Sequence, residues 1–375
     1  MPRIAVLVSN DLEFDQRVAK VCEWLTSNGY DITLIGRMLP GSRSFSRPYP
    51  IIRFHLWASR GALFYAALNI RMLIYLLFHR TDVILANDLD TLLPAFLVSR
   101  LRGKKLVYDS HEYFTEAEGL TGRSFQKKVW LSIERFIFPK LRHAYTVNES
   151  IAGFYREKYA VDVQVVRNVP ILRPAKSGRS KSELGLPDNK HILILQGAYI
   201  DPDRGGMELV EAMQFLDECY LLIIGSGRDI PAIDARIAEL NLSDRIMRFP
   251  RLPFDQLQEY TACAEIGFSL DKPVHLNYLY SLPNKLFDYV HAGLPVLVSD
   301  LPELRRVVEE YNLGMITPQV SSESISTSVR TMLSSGNMAL WKSNSIAASK
   351  VLNWQMESQT LDRIYGASSG LGLLS

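Results

Sequence analysis

A chain of 375 residues exceeds one typical domain and suits two, each able to bury its own core. With 47% apolar and 22% charged residues the composition is globular, which excludes a disordered chain, and a net charge of +2 argues against a general nucleic-acid binder. The three cysteines, Cys22, Cys219 and Cys263, contain no C-x-x-C pair, which argues against a disulfide framework or a structural zinc and for a reduced compartment.

The first apolar run, Ile4 to Val8, is far shorter than a secretory core, so the mature protein is expected to begin at or near Met1. It reads as a strand, followed by a helix from Phe14 to Ser27. Asn10, Asp11 and Asp15 in the connecting loop suit either the hydroxyls of an acceptor or capping of that helix by Asp11 or Asp15. Strands are then predicted at Asp31 to Ile35, Ile51 to His55, Val83 to Ala86, Lys105 to Tyr108, Tyr145 to Val147 and Val163 to Val166. Between them the spacing predicts helices over Leu63 to Phe78, Leu92 to Leu101 and Phe125 to Leu141. The stretch Gly61 to Phe78 is about long enough to span a bilayer, but Asn69 and Arg71 in its middle favour a buried or surface-lying helix.

Two strand ends in this half carry candidate chemistry. Asn87-Asp88 closes one strand and is an acceptor-side candidate, with Asp88-Leu89-Asp90 read as a helix start. Tyr108-Asp109-Ser110-His111-Glu112 closes the next; a histidine between acids at a strand mouth makes His111 the candidate catalytic residue, with Glu112 beside it on the acceptor side. The half is basic: residues 1–168 hold 23 Lys and Arg against 16 Asp and Glu, whereas the remainder holds 19 against 24. Its segments 61–80 and 123–142 mix apolar, aromatic and basic residues, as either core helices with snorkelling ends or an anionic-membrane face would.

Pro170, Pro174 and the polar run Lys176 to Ser182 have linker composition. The alternation then restarts, with strands at His191 to Gln196, Tyr220 to Ile224, Ile246 to Phe249, Ile266 to Leu270, Pro295 to Val298 and Met315 to Ile316. Helices are expected at Gly206 to Phe215, Ile230 to Leu240, Asp255 to Ala262, Pro283 to Ala292 and Pro302 to Glu309. The fold class is therefore α/β: two Rossmann-like doubly wound domains, 1–168 and 188–353, with a linker over 169–187 and a ligand cleft expected between them. The closing segment is 354–375.

Gly197 ends one strand and its loop delivers Arg204 to a helix start, a candidate diphosphate clamp unless that arginine is merely solvated. Gly225-Ser226-Gly227 lets backbone approach a ligand but lacks the third glycine of a dinucleotide fingerprint. In Ser281 to Asp300, Pro283 opens a helix and Gly293 closes it, and Lys285 and Asp288 share one face of its first turns. That end suits phosphates at Lys285 and sugar hydroxyls at Asp288; a solvated ion pair on a crossover helix is the plainer alternative.

Pro-Asn-Lys-Leu-Phe-Asp-Tyr followed by Ala-Gly-Leu-Pro-Val resembles the donor-site segment of family 4 glycosyltransferases of the GT-B fold. The resemblance implies a donor site of Gly197, Arg204, Gly225, Arg251, Leu252, Pro283, Asn284, Lys285 and Asp288, with Arg251 and Leu252 at the nucleobase. It implies His111, Arg204 and Lys285 as catalytic, retention of anomeric configuration, and a C-terminal helix that rejoins the first domain. Two departures stand out: the family's glycine pair is missing after the first strand, and the first of its two glutamates falls on Tyr280, with Asp271 a substitute acid nearby.

The implied activity is transfer of a hexose-type sugar from a nucleoside diphosphate sugar to an acceptor hydroxyl, in bacterial-type polysaccharide or glycolipid assembly. A sugar-nucleotide epimerase and a non-catalytic nucleotide-sugar-binding protein are the alternatives. No cofactor and no metal is called for. The partners expected are the nucleotide sugar, a glycan or lipid-linked acceptor and an anionic membrane surface, and the location is cytoplasmic, peripheral on the inner face of the cell membrane.

Overall fold

In a computed structural model the chain divides into two compact units, residues 1–168 with 357–375 and residues 169–356. The structure describes residues 1–13, 15–116, 120, 122–173 and 179–366. Phe14 and part of the polar run read as a linker, 174–178, lie outside the described residues, as does the segment 367–375.

The first unit runs β1 (Arg3–Leu7), α1 (Gln16–Ser27), β2 (Asp31–Met38), β3 (Ile51–His55), α2 (Gly61–Phe78), β4 (Val83–Asn87), α3 (Leu89–Arg102), β5 (Lys105–Ser110), α4 (Ser124–Ile137), β6 (Ala144–Thr146), α5 (Glu149–Tyr159) and β7 (Val163–Val165). Its strands form one parallel sheet in the order β3-β2-β1-β4-β5-β6-β7. Helices cover both faces, so the central strands are buried on both sides and read as unbroken apolar runs. Asp15 settles one open question: its side chain accepts from the Val18 N–H at 3.0 Å and caps α1.

Pro94 sits inside α3, where its ring nitrogen cannot donate to the carbonyl of Asp90. The Asn69 side chain takes that carbonyl at 2.8 Å. The polar residue that interrupts the longest apolar stretch thus satisfies a backbone group released on the neighbouring helix. The expected helix over Phe125 to Leu141 is shorter, passing into a tight turn over Phe138–Lys140 at Pro139.

The second unit runs β8 (His191–Gly197), α6 (Gly206–Ala212), β9 (Cys219–Gly225), α7 (Ile230–Glu239), β10 (Ile246–Phe249), α8 (Phe254–Cys263), β11 (Ile266–Ser269), α9 (Leu276–Leu279), α10 (Asn284–His291), β12 (Val296–Ser299), α11 (Pro302–Tyr311), β13 (Gly314–Thr317), α12 (Ser322–Ser334), α13 (Met338–Ser349) and α14 (Trp354–Glu357). The sheet is again parallel, ordered β10-β9-β8-β11-β12-β13. Leu184 and Leu186, within the stretch read as linker, are buried in this unit's core with Val169, so apolar side chains there outweigh the polar composition around them.

A last helix, α15 (Gln359–Tyr365), belongs to the first unit. Tyr365 packs on Trp24 and Tyr30, Lys105 donates to the carbonyls of Ile364 and Tyr365, and Glu357 accepts from the Arg167 N–H at 2.8 Å. The C-terminal helix implied by the resemblance is two short helices in the described residues, Trp354–Glu357 and Gln359–Tyr365, divided at Ser358.

Candidate active site

In the second unit three loops at the carboxyl ends of β8, β9 and β11 are locked by glycines. A Cβ on Gly225 would fall 2.0 Å from the Gly197 carbonyl oxygen, and one on Gly227 equally close to that of Ile200. These glycines let two loops touch each other, a structural need beyond any ligand approach. Gly205, at φ 70°, starts α6 with its Cα against Leu270.

This packing brings the two predicted cations together. The Arg204 guanidinium pairs with Oδ1 of Asp271, and Lys285 Nζ lies 3.9 Å from the same oxygen. Asp271, just beyond β11, is fully buried and accepts from Ser269 Oγ at 3.1 Å through its other oxygen. Burial pushes its carboxyl up, but Lys285 and Arg204 outweigh this and hold it below the usual range. Burial, with Arg204 nearby, lowers the Lys285 ammonium, which Asp271 partly restores. Arg204 also lies over the Tyr278 ring, 4.4 Å from its centre. Two cations on one fixed carboxylate leave surplus positive charge, which suits an anion.

Asp288 lies one turn beyond Lys285 and accepts from Gln196 Nε2 at 3.3 Å. Gln196 is itself fixed, accepting from Thr261 Oγ1 and donating its N–H to the Tyr289 hydroxyl. Neither Gln196 nor Thr261 is picked out by the sequence; the signal was a lone polar residue ending the apolar run from Ile192. α10 begins at Asn284, with Pro283 at the capping position and Asn284 exposed. Arg251 is exposed beyond β10, 5.9 Å from the Tyr199 ring centre, and Leu252 is half-buried beside it. Asp271, the proposed substitute acid, is engaged by Arg204, Lys285 and Ser269. Tyr280 ends the short helix α9.

In the first unit the centre lies at the ends of β4 and β5. Asp88 is not a helix-capping side chain: it adopts φ 60° and ψ 167°, a costly backbone for a non-glycine residue, and makes no capping bond to α3. Its carboxylate instead accepts the His111 backbone N–H at 2.8 Å and lies 3.5 Å from His111 Nδ1. The other ring nitrogen, Nε2, is 3.2 Å from Asn87 Oδ1 and 3.4 Å from Asp109 Oδ2. Burial lowers the imidazole pKa, but Asp88 and Asp109 overcome it and raise it to about 9. Burial chiefly, with Asp90 and Glu112, raises Asp88 to about 7; Asp90 is pushed up to about 6 and Glu112 upward, again by burial first.

Beneath His111, Asp109 is completely buried against Arg17, whose Nε and Nη2 reach it at 3.0 and 2.7 Å while Nη1 donates to the Val166 carbonyl at 2.7 Å. Sequence reasoning passed over Arg17, although it shares the buried face of α1 with Val18, Val21 and Leu25 and so needed an acid. In the first loop the side chains read as acceptor candidates bond to one another and to neighbouring backbone. Asn10 donates to Asp15 at 2.8 Å and accepts from the Leu12 N–H, and Asp15 is occupied as a cap. Asp11 accepts from Ser42 Oγ at 3.3 Å. Among the described residues no group of three or more His, Cys, Asp or Glu side chains is arranged to hold a metal ion.

Two successive parallel α/β units, one with a paired-cation centre and the other with an acid-flanked histidine, give the paired Rossmann-like architecture of the GT-B fold. Residues 16–170 match the family described as Glycosyltransferase Family 4, and residues 179–345 match Glycosyl transferases group 1. The chain belongs to the family 4 glycosyltransferases. Over 132 residues it is 26% identical to a chitobiosyldiphosphodolichol beta-mannosyltransferase of Yarrowia lipolytica, a stretch covering 33% of this chain and 28% of that relative's length. Its fold is similar to sucrose-phosphate synthase from Thermosynechococcus elongatus, with TM-score 0.78, 17% identity and 98% of each chain covered. It is also similar to Anabaena HepE in complex with UDP and glucose, with TM-score 0.72, 15% identity and coverage of 98% of this chain and all of that one.

Proposed function

We propose that this glycosyltransferase takes a hexose-type sugar from a nucleoside diphosphate sugar and passes it, with retention of anomeric configuration, to an acceptor hydroxyl in polysaccharide or glycolipid assembly. The observation that carries the reading is the convergence of Arg204 and Lys285 on buried Asp271. The bond from the sugar's anomeric carbon to the diphosphate breaks, a bond to the acceptor oxygen forms as its hydroxyl proton passes to the departing phosphate, and negative charge grows on that phosphate as it leaves. Cations fixed in a partly buried site meet that charge without reorganising, and one such group is worth roughly 3–4 kcal/mol of barrier. Asp288, held by Gln196, takes a sugar hydroxyl, and no cofactor or metal enters the proposal. Binding of UDP and glucose by HepE supports a nucleotide-sugar donor.

The acceptor is assigned to the first unit, where Asp88, Glu112 and His111 gather at the strand ends. The setting proposed is cytoplasmic. The test is product analysis across a panel of nucleotide sugars, with and without acceptor sugars and lipid-linked glycans. Acceptor-dependent release of nucleoside diphosphate with a new glycoside is expected. Epimerised sugar or free nucleotide formed equally without acceptor would replace this reading with the epimerase, and binding without turnover across the panel with the non-catalytic one.

A further inference from the structure

Helix α2 has two apolar faces. One holds Phe64, Leu68, Met72 and Leu76, all buried in the core beneath the sheet. The other holds Leu63, Ile70, Ile74 and Phe78, which are 61, 56, 49 and 82% exposed. Surfaces of soluble domains show single exposed apolar residues routinely, but a row along about four turns of helix needs a partner.

The row continues sideways. α2 packs on α3, and α3 on α4, with the Trp130 ring of α4 edge-on to Tyr65 of α2 and Phe136 of α4 edge-on to Phe96 of α3. Arg102 fastens the end of α2, donating to the carbonyls of Leu76 and His79. The outer side of this three-helix layer adds Leu101 from α3 and Phe125 from α4, 74 and 73% exposed.

Charge on the layer has one sign. The only acids in the three helices, Asp90 and Glu134, are buried, whereas Arg71, Arg100, Lys128 and Arg135 are exposed. Lys140 lies over the Phe136 ring, 3.2 Å from its centre, so cation and apolar surface are interleaved rather than segregated. A protein partner of ordinary composition would bring apolar surface without a matching sheet of negative charge. An anionic leaflet brings both.

We infer that the outer face of α2, α3 and α4 is a membrane-docking surface that lies in the headgroup region of an anionic lipid leaflet, with the Leu63–Phe78 row inserted. The helix is long and apolar enough to cross a bilayer, but its opposite face is part of the sheet's core, and crossing would strip that core open. It therefore lies flat. This goes beyond the transfer reaction proposed above and names where a lipid-linked acceptor would be met.

The experiment is flotation of the whole chain with phosphatidylcholine vesicles, with and without phosphatidylglycerol, in the absence of donor and acceptor. Flotation is expected with the anionic vesicles only, weakening as salt is raised. The triple variant Ile70→Ser/Ile74→Ser/Phe78→Ser and the charge reversal Lys128→Glu/Arg135→Glu should each lower vesicle affinity by roughly tenfold or more with unchanged melting temperature, since these side chains are solvent-exposed. A wild-type chain that stays at the bottom of the gradient would overturn the inference. So would variants that float like the wild type, or a wild-type dimer that the triple variant abolishes while vesicles are ignored, which would make the occupant a second copy. Because vesicle binding is read without turnover, its failure leaves the transfer reaction standing, and the converse holds.

Discussion

Asp271 carries the electrostatics of the second unit, and its removal is more informative than that of either cation. The carboxyl is held below its ordinary range, so its contribution to stability is present above the unfolded carboxyl value of about 3.9 and is lost as pH falls through the lower folded value. Asp271→Asn should abolish that acid-side dependence relative to wild type in thermal melts between neutral and strongly acidic pH; parallel curves would contradict it. His111 behaves oppositely. Its imidazole is raised to about 9, so the stability it adds is complete below about 6.5 and fades as pH rises through 9. Asp88→Asn removes the carboxylate beside Nδ1, and the His111 titration followed by NMR should move down by a unit or more, on the order of 1.4 kcal/mol. An unmoved titration would mean that Asp88 does not hold the imidazolium. The Arg17–Asp109 pair is a further residue-scale test: Asp109→Ala strands a buried guanidinium and should cost about 3–5 kcal/mol in denaturant unfolding.

At the scale of elements, α10 is seated by close packing. Gly267 on β11 lies against the Tyr289 ring, and a Cβ there would approach it to 2.6 Å. Gly267→Ala should destabilise by about 1–3 kcal/mol through overpacking and also weaken donor binding, because α10 carries Lys285 and Asp288. Lost stability with unchanged donor affinity would uncouple the two. Strands were legible even at the sheet edges, where polar residues interrupt the apolar run: Ile51 to His55 and Ile246 to Phe249 fall on the observed strands residue for residue. Helices α12 and α13 escaped, since serines interrupt the apolar pattern of both; the buried Ser326 and Ser328 of α12 bond back to their own helix, and Ser345 of α13 reaches the Leu294 carbonyl. The close of Arg204 and Lys285 on one acid was readable only as two separate cations, because residues 67 apart meet through loop packing that no local pattern encodes. The duty of Asp88 was hidden for the same reason, its partner lying 23 residues away just beyond the end of the next strand.

Across the whole molecule, the chain returns at its end to the unit where it began. Ending it at Met356 would remove the Tyr365 contacts with Trp24 and Tyr30, the bonds of Lys105 to the last helix and the Glu357 partner of Arg167. The central account concerns the donor diphosphate, and calorimetry measures it directly. Titration of the full chain with the nucleoside diphosphate of its donor, and with the matching monophosphate, should give tighter binding of the diphosphate, with Arg204→Ala and Lys285→Ala each lowering that affinity by about tenfold or more and reducing the difference between the two nucleotides. Diphosphate affinity at the wild-type level in both variants would contradict the account.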